Sequence, residues 1–299
     1  MRATLIAIAA VGALASVASG GAQAPTVLAK IHVAPATSPC AAMGGAGFVW
    51  VSEYSSPFLL KISPKSNKVV KKIGIGNGSC GLGFGAGSLW IEDTTSNTIS
   101  RVSAATGKRT AAVRVGLQPY DATFAYGAVW ATSYGNGEVD RIDPSRNRVV
   151  KRFKLGSATG VVGAFGSVWA TGDEGVLRID PASNTVLATI PLESAGWTAA
   201  SADAVWITTT SGIVRIDPTT NTIAATVKLA SSTVGDPGVV GGQVWAPLVR
   251  ENAIAVVDPA TNTVAQTIKV GAGPFVVTEI AGQAWVPSWK GTDIWRIKP

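Results

Sequence analysis

Short apolar stretches with alternating hydrophobic and polar positions run along the chain, separated by turns rich in Gly, Pro, Asp and Asn. Val264-Ala265-Gln266-Thr267-Ile268 alternates in this way, and Asp258-Pro259-Ala260-Thr261-Asn262 provides the turn before it. Alternation with a period of two is typical of half-buried β-strands, and Asp-Pro is a common turn start. No segment shows sustained helical periodicity, so the pattern predicts an all-β protein.

Tryptophan recurs at a nearly constant spacing and reveals an internal repeat of 37 to 40 residues. A Gly, or once Asp203, stands three residues before each Trp, which indicates a hairpin turn with positive φ. Each period contains four strand segments, as in the blades of a propeller. The sequence predicts a seven-bladed β-propeller with four-stranded blades. The repeated residues are Trp50, Trp90, Trp130, Trp169, Trp206, Trp245 and Trp285.

The two ends of the repeat are complementary. The last period stops at Pro299, where the turn before its fourth strand should begin, and residues 26–33 match the pattern of a fourth strand. We expect this N-terminal strand to pair into the last blade and close the ring, which removes exposed sheet edges.

The N-terminus has the pattern of an export signal. Arg2 precedes an apolar run from Thr4 to Ala18, and small residues follow up to Ala24. Residues 1–24 are therefore predicted to be a signal peptide, and residues 25–299 a single propeller domain. We expect a periplasmic or extracellular protein with no integral membrane segment after signal removal.

Composition excludes several classes of function. The chain has a net charge of +7, but its basic residues lie mostly on predicted outer strands and resemble no nucleic-acid-binding module. A single His and two Cys make no standard zinc set, and no phosphate-binding or dinucleotide-binding loop is present. We therefore predict no resident cofactor, no metal site and no nucleic-acid partner.

Cys40 and Cys80 occupy the same phase of adjacent repeats, ten residues before Trp50 and Trp90. Neighbouring inner strands converge toward the propeller axis, and we expect a separation on the order of 6–10 Å, near the limit for a disulfide. An oxidising compartment favours the Cys40–Cys80 disulfide. Free buried thiols and a redox or ligand role are the alternatives.

Candidate binding residues are those that depart from the repeat. In propellers the loops between blades and those between the second and third strands open on one face around the channel, where ligands usually bind. The seven repeated Trp residues are better explained by packing between blades. An aromatic and acidic rim there would suit a sugar, a planar apolar compound or a peptide, although these residues could also merely fill uneven loops. The predicted ligand-binding residues are Tyr54, Tyr120, Asp121, Tyr134, Trp197, Asp236, Phe275 and Trp289.

The Asp-Pro-x-Thr-Asn-Thr-Val run at residues 258–264 resembles the repeat of YVTN-type β-propellers. The whole module, with its aromatic-centred second strand, is similar to the streptogramin (virginiamycin B) lyase-like propellers over all seven repeats. That resemblance implies C–O lyase chemistry with channel histidines, a glutamate and a divalent cation. Glu53 matches the glutamate, three residues after the blade aromatic. The histidines have no match, because the single His32 lies on the predicted outer strand of blade 7.

Without a visible general acid or base, the sequence favours a non-catalytic scaffold that binds a ligand or a protein through its channel-mouth face. We expect a monomer whose partner is a small molecule, a glycan or an envelope protein. The alternative is a lyase-like enzyme in which Glu53 acts with a divalent cation.

Overall fold

The computed structural model describes residues 24–299 as seven four-stranded antiparallel sheets that form a β-propeller. The predicted fold class and the number of blades are confirmed. The predicted signal peptide lies almost entirely outside the described residues. Within residues 24–299, no helix is long and apolar enough to cross a membrane.

The strands of each blade follow one another from the channel outward, except in blade 7. Blade 1 comprises β2 (Pro39–Gly45), β3 (Phe48–Glu53), β4 (Phe58–Ser63) and β5 (Lys68–Gly74). Blade 2 comprises β6 (Leu82–Gly85), β7 (Ser88–Asp93), β8 (Thr98–Ser103) and β9 (Arg109–Arg114). Blade 3 comprises β10 (Pro119–Ala125), β11 (Ala128–Ser133), β12 (Glu138–Asp143) and β13 (Arg148–Lys154).

The remaining blades repeat this order. Blade 4 comprises β14 (Val161–Ala164), β15 (Ser167–Gly172), β16 (Gly175–Asp180) and β17 (Thr185–Ile190). Blade 5 comprises β18 (Thr198–Ala200), β19 (Val205–Thr209), β20 (Gly212–Asp217) and β21 (Thr222–Lys228). Blade 6 comprises β22 (Gly238–Val240), β23 (Gln243–Leu248), β24 (Ala253–Asp258) and β25 (Thr263–Lys269). Blade 7 comprises β26 (Thr278–Ile280), β27 (Gln283–Pro287), β28 (Asp293–Lys298) and, outermost, β1 (Thr26–His32).

Ring closure occurs as the sequence predicted. β1 pairs antiparallel with β28, from Thr26 opposite Lys298 to His32 opposite Asp293. Arg296 on β28 also reaches blade 1, where its guanidinium donates to Pro64 O at 2.6 Å and to Asn67 Oδ1 at 2.9 Å. The ring is therefore closed by the pairing of β1 with β28 and by a side chain of blade 7 that bonds to blade 1.

The turns behave as their residues predict, with one exception. Gly47 adopts φ 77° in the β2–β3 hairpin, and five further glycines at this phase also have positive φ. Asp203, at the same phase in blade 5, does not share this conformation, so the prediction is wrong there. Its hairpin is instead held by a hydrogen bond from Ser201 N–H to Ala204 O and by one from Ser201 Oγ to the Asp203 carboxylate.

The repeated Trp residues form the packing between blades. Each is at most 1% exposed. Trp90 of blade 2, for example, packs in one cluster with Val129 and Ala131 of blade 3. Its indole N–H donates to Gly85 O at 3.2 Å, and the Arg101 guanidinium lies 4.9 Å from its ring centroid. These contacts confirm a structural role and leave the non-repeated aromatic residues as the functional candidates.

Candidate functional site

Two spaces lie one above the other on the propeller axis. The channel, about 310 Å³, is lined by inner-strand segments of all seven blades, including Asp121 and Asp236. The second space, which we call the mouth cavity, measures about 160 Å³. Tyr120 and Phe275 line it and directly precede channel-lining residues in the chain, so the cavity covers one end of the channel. Its lining residues are Cys40, Tyr54, Gly78, Cys80, Glu92, Thr94, Tyr120, Trp197, Phe275 and Trp289.

Six aromatic side chains form a continuous series of contacts at this opening. Tyr54 meets Trp289 edge-on with centroids 6.0 Å apart, and Trp289 lies 5.7 Å from Phe275. Trp197 contacts Phe275 at 5.3 Å and stacks on Tyr120 at 5.0 Å, and Tyr134 lies 5.4 Å from Tyr120. All these separations are within the range of favourable aromatic pairs. We call these six residues the mouth cluster.

A repeated backbone bond positions three members of the mouth cluster. Tyr54, Tyr134 and Trp289 each lie four residues after a blade Trp, in the loop between the second and third strands. Their N–H groups donate to carbonyls of the preceding inter-blade loop, at 2.9 Å, 3.0 Å and 2.9 Å. The other three, Tyr120, Trp197 and Phe275, lie on or just before inner strands. Both predicted loop sets therefore converge on the mouth.

Burial differs across the mouth cluster. Trp197 is only 8% exposed, whereas Tyr54, Tyr120 and Tyr134 are 42%, 37% and 49% exposed. The indole N–H of Trp289 is buried and has no hydrogen-bond partner within residues 24–299. The cluster thus has a buried centre, an exposed rim and an unused donor, which are features of a surface able to accept another molecule.

The predicted disulfide is present between Cys40 and Cys80, with Cα atoms 5.1 Å apart. This separation is shorter than the expected 6–10 Å, because Cys80 lies before β6 begins and its loop can turn toward blade 1. Ser52 Oγ of blade 1 donates to Cys80 O at 2.6 Å and stabilises that approach. The disulfide lines the mouth cavity and joins blades 1 and 2 there.

Asp121 and Asp236 line the channel rather than the mouth cavity. The Asp121 carboxylate accepts hydrogen bonds from the N–H groups of Ala122 and Val161 at 2.8 Å and 2.9 Å. Burial nevertheless raises the pKa of Asp121 to about 6. Burial also raises the pKa of Asp236 well above its usual range, and the nearby charge of Asp121 adds to this. Both carboxyls therefore disfavour their ionised forms.

Glu92 is the site residue that the sequence prediction missed. It stands two residues after Trp90, where Ser52, Thr132 and Thr171 in other blades carry hydroxyls that accept an N–H bond from their own inner strand. Glu92 Oε1 takes over this bond, accepting from the N–H groups of Cys80 and Gly81. The sequence itself shows this difference, because a Glu stands at a position where other blades carry Ser or Thr.

Glu92 differs from Glu53 and Glu251, which also have a buried carboxylate oxygen without a partner among residues 24–299, because only Glu92 lines the mouth cavity. The Glu92 side chain is 1% exposed and lines the mouth cavity, yet Oε2 has no hydrogen-bond partner within the described chain. Burial raises the pKa of Glu92 well above its usual range, and the charge of Asp121 raises it further. Glu92 Oε2 and Asp121 Oδ1 each lie 3.0 Å or less from the position that a Cβ on Gly81 would occupy. The two oxygens are thus no more than about 6 Å apart, close enough for their charges to interact.

Glu53, the candidate from the lyase resemblance, lies apart from these groups. It is fully buried, and its Oε2 accepts a hydrogen bond from Ser56 Oγ at 2.9 Å. It lines neither the mouth cavity nor the channel. His32 lies on the outer strand of blade 7, as predicted, 2.5 Å from Asp293. Among residues 24–299, no three His, Cys, Asp or Glu side chains are grouped to hold a metal ion.

Comparison with known proteins shows the fold and not the family. The model of a repeat of unknown function (DUF6923) matches residues 51–190. No curated protein sequence matches the chain. Among solved structures, a streptogramin B lyase is 15% identical with a TM-score of 0.78, and the similarity covers 92% of this chain and 97% of that one.

Two further structures give the same result. Virginiamycin B lyase from Staphylococcus aureus is 14% identical with a TM-score of 0.76, covering 92% of this chain and 99% of that one. The Cps50 (Swd1) β-propeller domain from Myceliophteria thermophila is 10% identical with a TM-score of 0.77, with coverage of 92% and 99%. At these identities the likeness concerns architecture alone.

Proposed function

We propose that this chain is an exported propeller that binds, without transforming it, a small molecule bearing one planar apolar ring in the mouth cavity. The observation that carries the proposal is the unbroken series of five contacts among six aromatic side chains, five of which line a space of about 160 Å³. Residues repeated in all blades are explained by packing, whereas no member of the mouth cluster lies at a position where all seven blades carry an aromatic residue.

The size of the space limits the ligand. An apolar cavity of roughly 150 Å³ accommodates one benzene-sized molecule. Trp197, Phe275 and Trp289 present ring faces and edges to such a ring, and Tyr54 lies at the exposed rim. Larger ligands, including glycans and peptides, would have to insert one ring or side chain and leave the rest outside. A small aromatic compound fits these constraints best.

Binding of a neutral ring probe tests this function. We expect 2-phenylethanol to bind the folded protein and to change its tryptophan fluorescence, because two indoles line the cavity. Trp289→Ala should weaken this binding by roughly 30-fold or more, as is typical for a central aromatic contact. Trp197→Ala should have a similar effect, with folding checked by circular dichroism.

Tyr126→Ala provides the matched control. Tyr126 is an exposed aromatic residue in the β10–β11 hairpin, at the end of the blade opposite to the mouth cluster. Its removal should leave binding of 2-phenylethanol unchanged. Full retention of binding in both Trp variants, or no binding by the folded wild type, would reject the mouth cavity as the ligand site.

The lyase alternative rests on the similarity in fold to the two lyases and on the sequence position of Glu53, three residues after Trp50. It predicts turnover of a cyclic depsipeptide in the presence of Mg²⁺, with loss of activity in Glu53→Gln. Absence of turnover together with unchanged thermal stability on addition of Mg²⁺ would reject it. Ring-probe binding that depends on Trp289 but not on Mg²⁺ would favour the binding function.

Export is supported by the signal-like N-terminus and is compatible with the disulfide. The test is N-terminal sequencing of the protein recovered outside the cytoplasm. We expect cleavage within the run of small residues from Ser19 to Ala24. A cytoplasmic protein that retains Met1 would overturn this part of the proposal.

A further inference from the structure

The mouth cavity contains a buried carboxyl group among aromatic rings. Glu92, Tyr120, Trp197, Phe275 and Trp289 all line it, and Glu92 Oε2 has no partner within residues 24–299. A ligand without a hydrogen-bond donor would leave this oxygen unpaired, which is costly for a buried polar group, and a charged donor forms a stronger bond to it than a neutral one. Aromatic faces attract cations, most strongly when water is excluded. The combination of rings and one free carboxylate oxygen is the chemistry that recognises an organic cation.

We propose that the mouth cavity selects ligands in which a planar ring carries an ammonium group, with the Glu92 carboxylate as the counter-ion. This inference rests on the proposed binding function and specifies its ligand class. An arylalkylamine would place its ring against the mouth cluster and direct its N–H donors to Glu92 Oε2. The ammonium group of the ligand would then supply the positive charge that the protein itself does not place beside the mouth cavity and the channel.

The charges around the site support a cationic ligand. In the part of the chain that the structure describes, no Lys or Arg forms an ion pair with Glu92, Asp121 or Asp236. Lys290 follows Trp289 but does not line the cavity. Three neighbouring acidic groups without a basic partner repel one another when ionised, so a ligand cation lowers their free energy.

Each element packed against β7 contributes differently to the environment of Glu92. β10 brings the Asp121 carboxyl and the Tyr120 phenol toward it, with Asp236 beyond Asp121. β6 carries no charged group, and the Arg101 guanidinium of β8 points to the turn of blade 3, donating to Pro144 O. The loop before β6 supplies the two N–H donors to Oε1.

These surroundings predict a pH-dependent affinity. Burial and Asp121 raise the pKa of Glu92, so the free protein retains a proton there that a bound ammonium must displace. Affinity for an amine, measured at about pH 5 and at about pH 8, should therefore be greater at the higher pH, with proton release on binding. An alkylammonium keeps its charge over this range, because such groups titrate near pH 10. Affinity for a neutral ring compound should stay flat.

Phenethylamine and 2-phenylethanol form a matched pair of probes, because the first carries an ammonium group where the second carries a hydroxyl group. For the wild type at about pH 8 we expect phenethylamine to bind at least about tenfold more tightly, as charge-assisted hydrogen bonds are roughly twice as strong as neutral ones. Glu92→Gln should remove this preference, because Gln keeps an oxygen that accepts from Cys80 and Gly81 but carries no charge. Isothermal titration calorimetry in two buffers of different ionisation enthalpy measures the proton release.

Asp93→Asn is the control on the same strand. The adjacent Asp93 carboxylate accepts the N–H of Ser96 and lies against Gly76, away from the cavity. The Asp93→Asn variant should prefer phenethylamine over 2-phenylethanol to the same extent as the wild type. If Glu92→Gln does not fold, the pH profiles of the two probes on the wild type decide the question alone.

The outcomes separate the two proposals. Binding of 2-phenylethanol that depends on Trp289, with no preference for phenethylamine or with a flat pH profile, overturns the cation inference and leaves the ring-binding function standing. Failure of both probes to bind rejects the binding function itself. An amine preference that persists in Glu92→Gln also overturns the role of Glu92.

Discussion

The Cys40–Cys80 disulfide should make a large contribution to the stability of the propeller. It closes a segment with a sequence separation of 40 residues. The chain-entropy relation for a loop of that length gives a stabilisation of about 4 kcal/mol at 25 °C, from the freedom that the bridge removes from the unfolded chain. Both cysteines are buried, with 2% and 9% exposure, so the bridge is protected in the folded state.

The perturbation is Cys40→Ala, Cys80→Ala and the double variant. The single variants should each lose about 4 kcal/mol in the free energy of unfolding, because either one breaks the bridge. The double variant should lose less than about 1 kcal/mol beyond the single ones, because the two substitutions remove the same covalent link. Such non-additivity distinguishes the bridge from simple packing of two small side chains.

Guanidinium denaturation measures these differences. The ten Trp residues report tertiary structure by fluorescence, and circular dichroism reports the sheets. Coincident transitions are required before a single free energy is assigned. Additive losses in the double variant, or single variants within about 1 kcal/mol of the wild type, would show that the disulfide does not stabilise the fold by restricting the unfolded chain. Reduction of the denatured wild type before refolding should reproduce the behaviour of the double variant.

Two further predictions concern the channel and the ring closure. Because the folded state raises the pKa of Asp236 above its ordinary value of 3.8, folded Asp236 holds a proton that the unfolded chain has lost, and stability falls as pH rises above that value. Asp236→Asn should therefore be more stable than the wild type at about pH 8 and equal to it near pH 3.5 in thermal unfolding, and a variant that is less stable at about pH 8 would contradict this. Arg296→Met should lose about 2 kcal/mol through its bonds to Pro64 and Asn67. Arg109→Met on exposed β9 should change stability by less than about 0.5 kcal/mol, and equal losses in both variants would count against a bridging role for Arg296.

The fold could be predicted from the sequence because the features that indicate it are local and repeated. Each blade Trp lies at a fixed phase between a turn and a strand, so its spacing counted the blades without any knowledge of distant contacts. The strand pattern of residues 26–33 predicted the pairing with β28, because only one sheet lacked an outer strand. The positive φ expected at Asp203 is absent, because a hydrogen bond from Ser201 Oγ to the Asp203 carboxylate holds this turn in another conformation.

The candidate site could be predicted only in part from the sequence. Departures from the repeat identified all six members of the mouth cluster, and the structure brings them together; their ligand-binding role stays a prediction. The sequence shows Glu92 in place of a repeated hydroxyl, but it does not show that the second carboxylate oxygen is buried without a partner among residues 24–299, and Glu92 was therefore missed. The Cys40–Cys80 distance was overestimated because strand convergence alone was considered, whereas Ser52 draws the Cys80 loop toward blade 1.

The mouth cluster and Glu92 are proposed to form one site for a ring that bears an ammonium group. A crystal structure of the protein with phenethylamine tests it most directly. We expect the phenyl ring in the mouth cavity, packed against Trp197, Phe275 and Trp289, with the nitrogen within hydrogen-bond distance of Glu92 Oε2. An empty mouth cavity at saturating ligand, or a ring bound with its nitrogen directed to solvent, would contradict it.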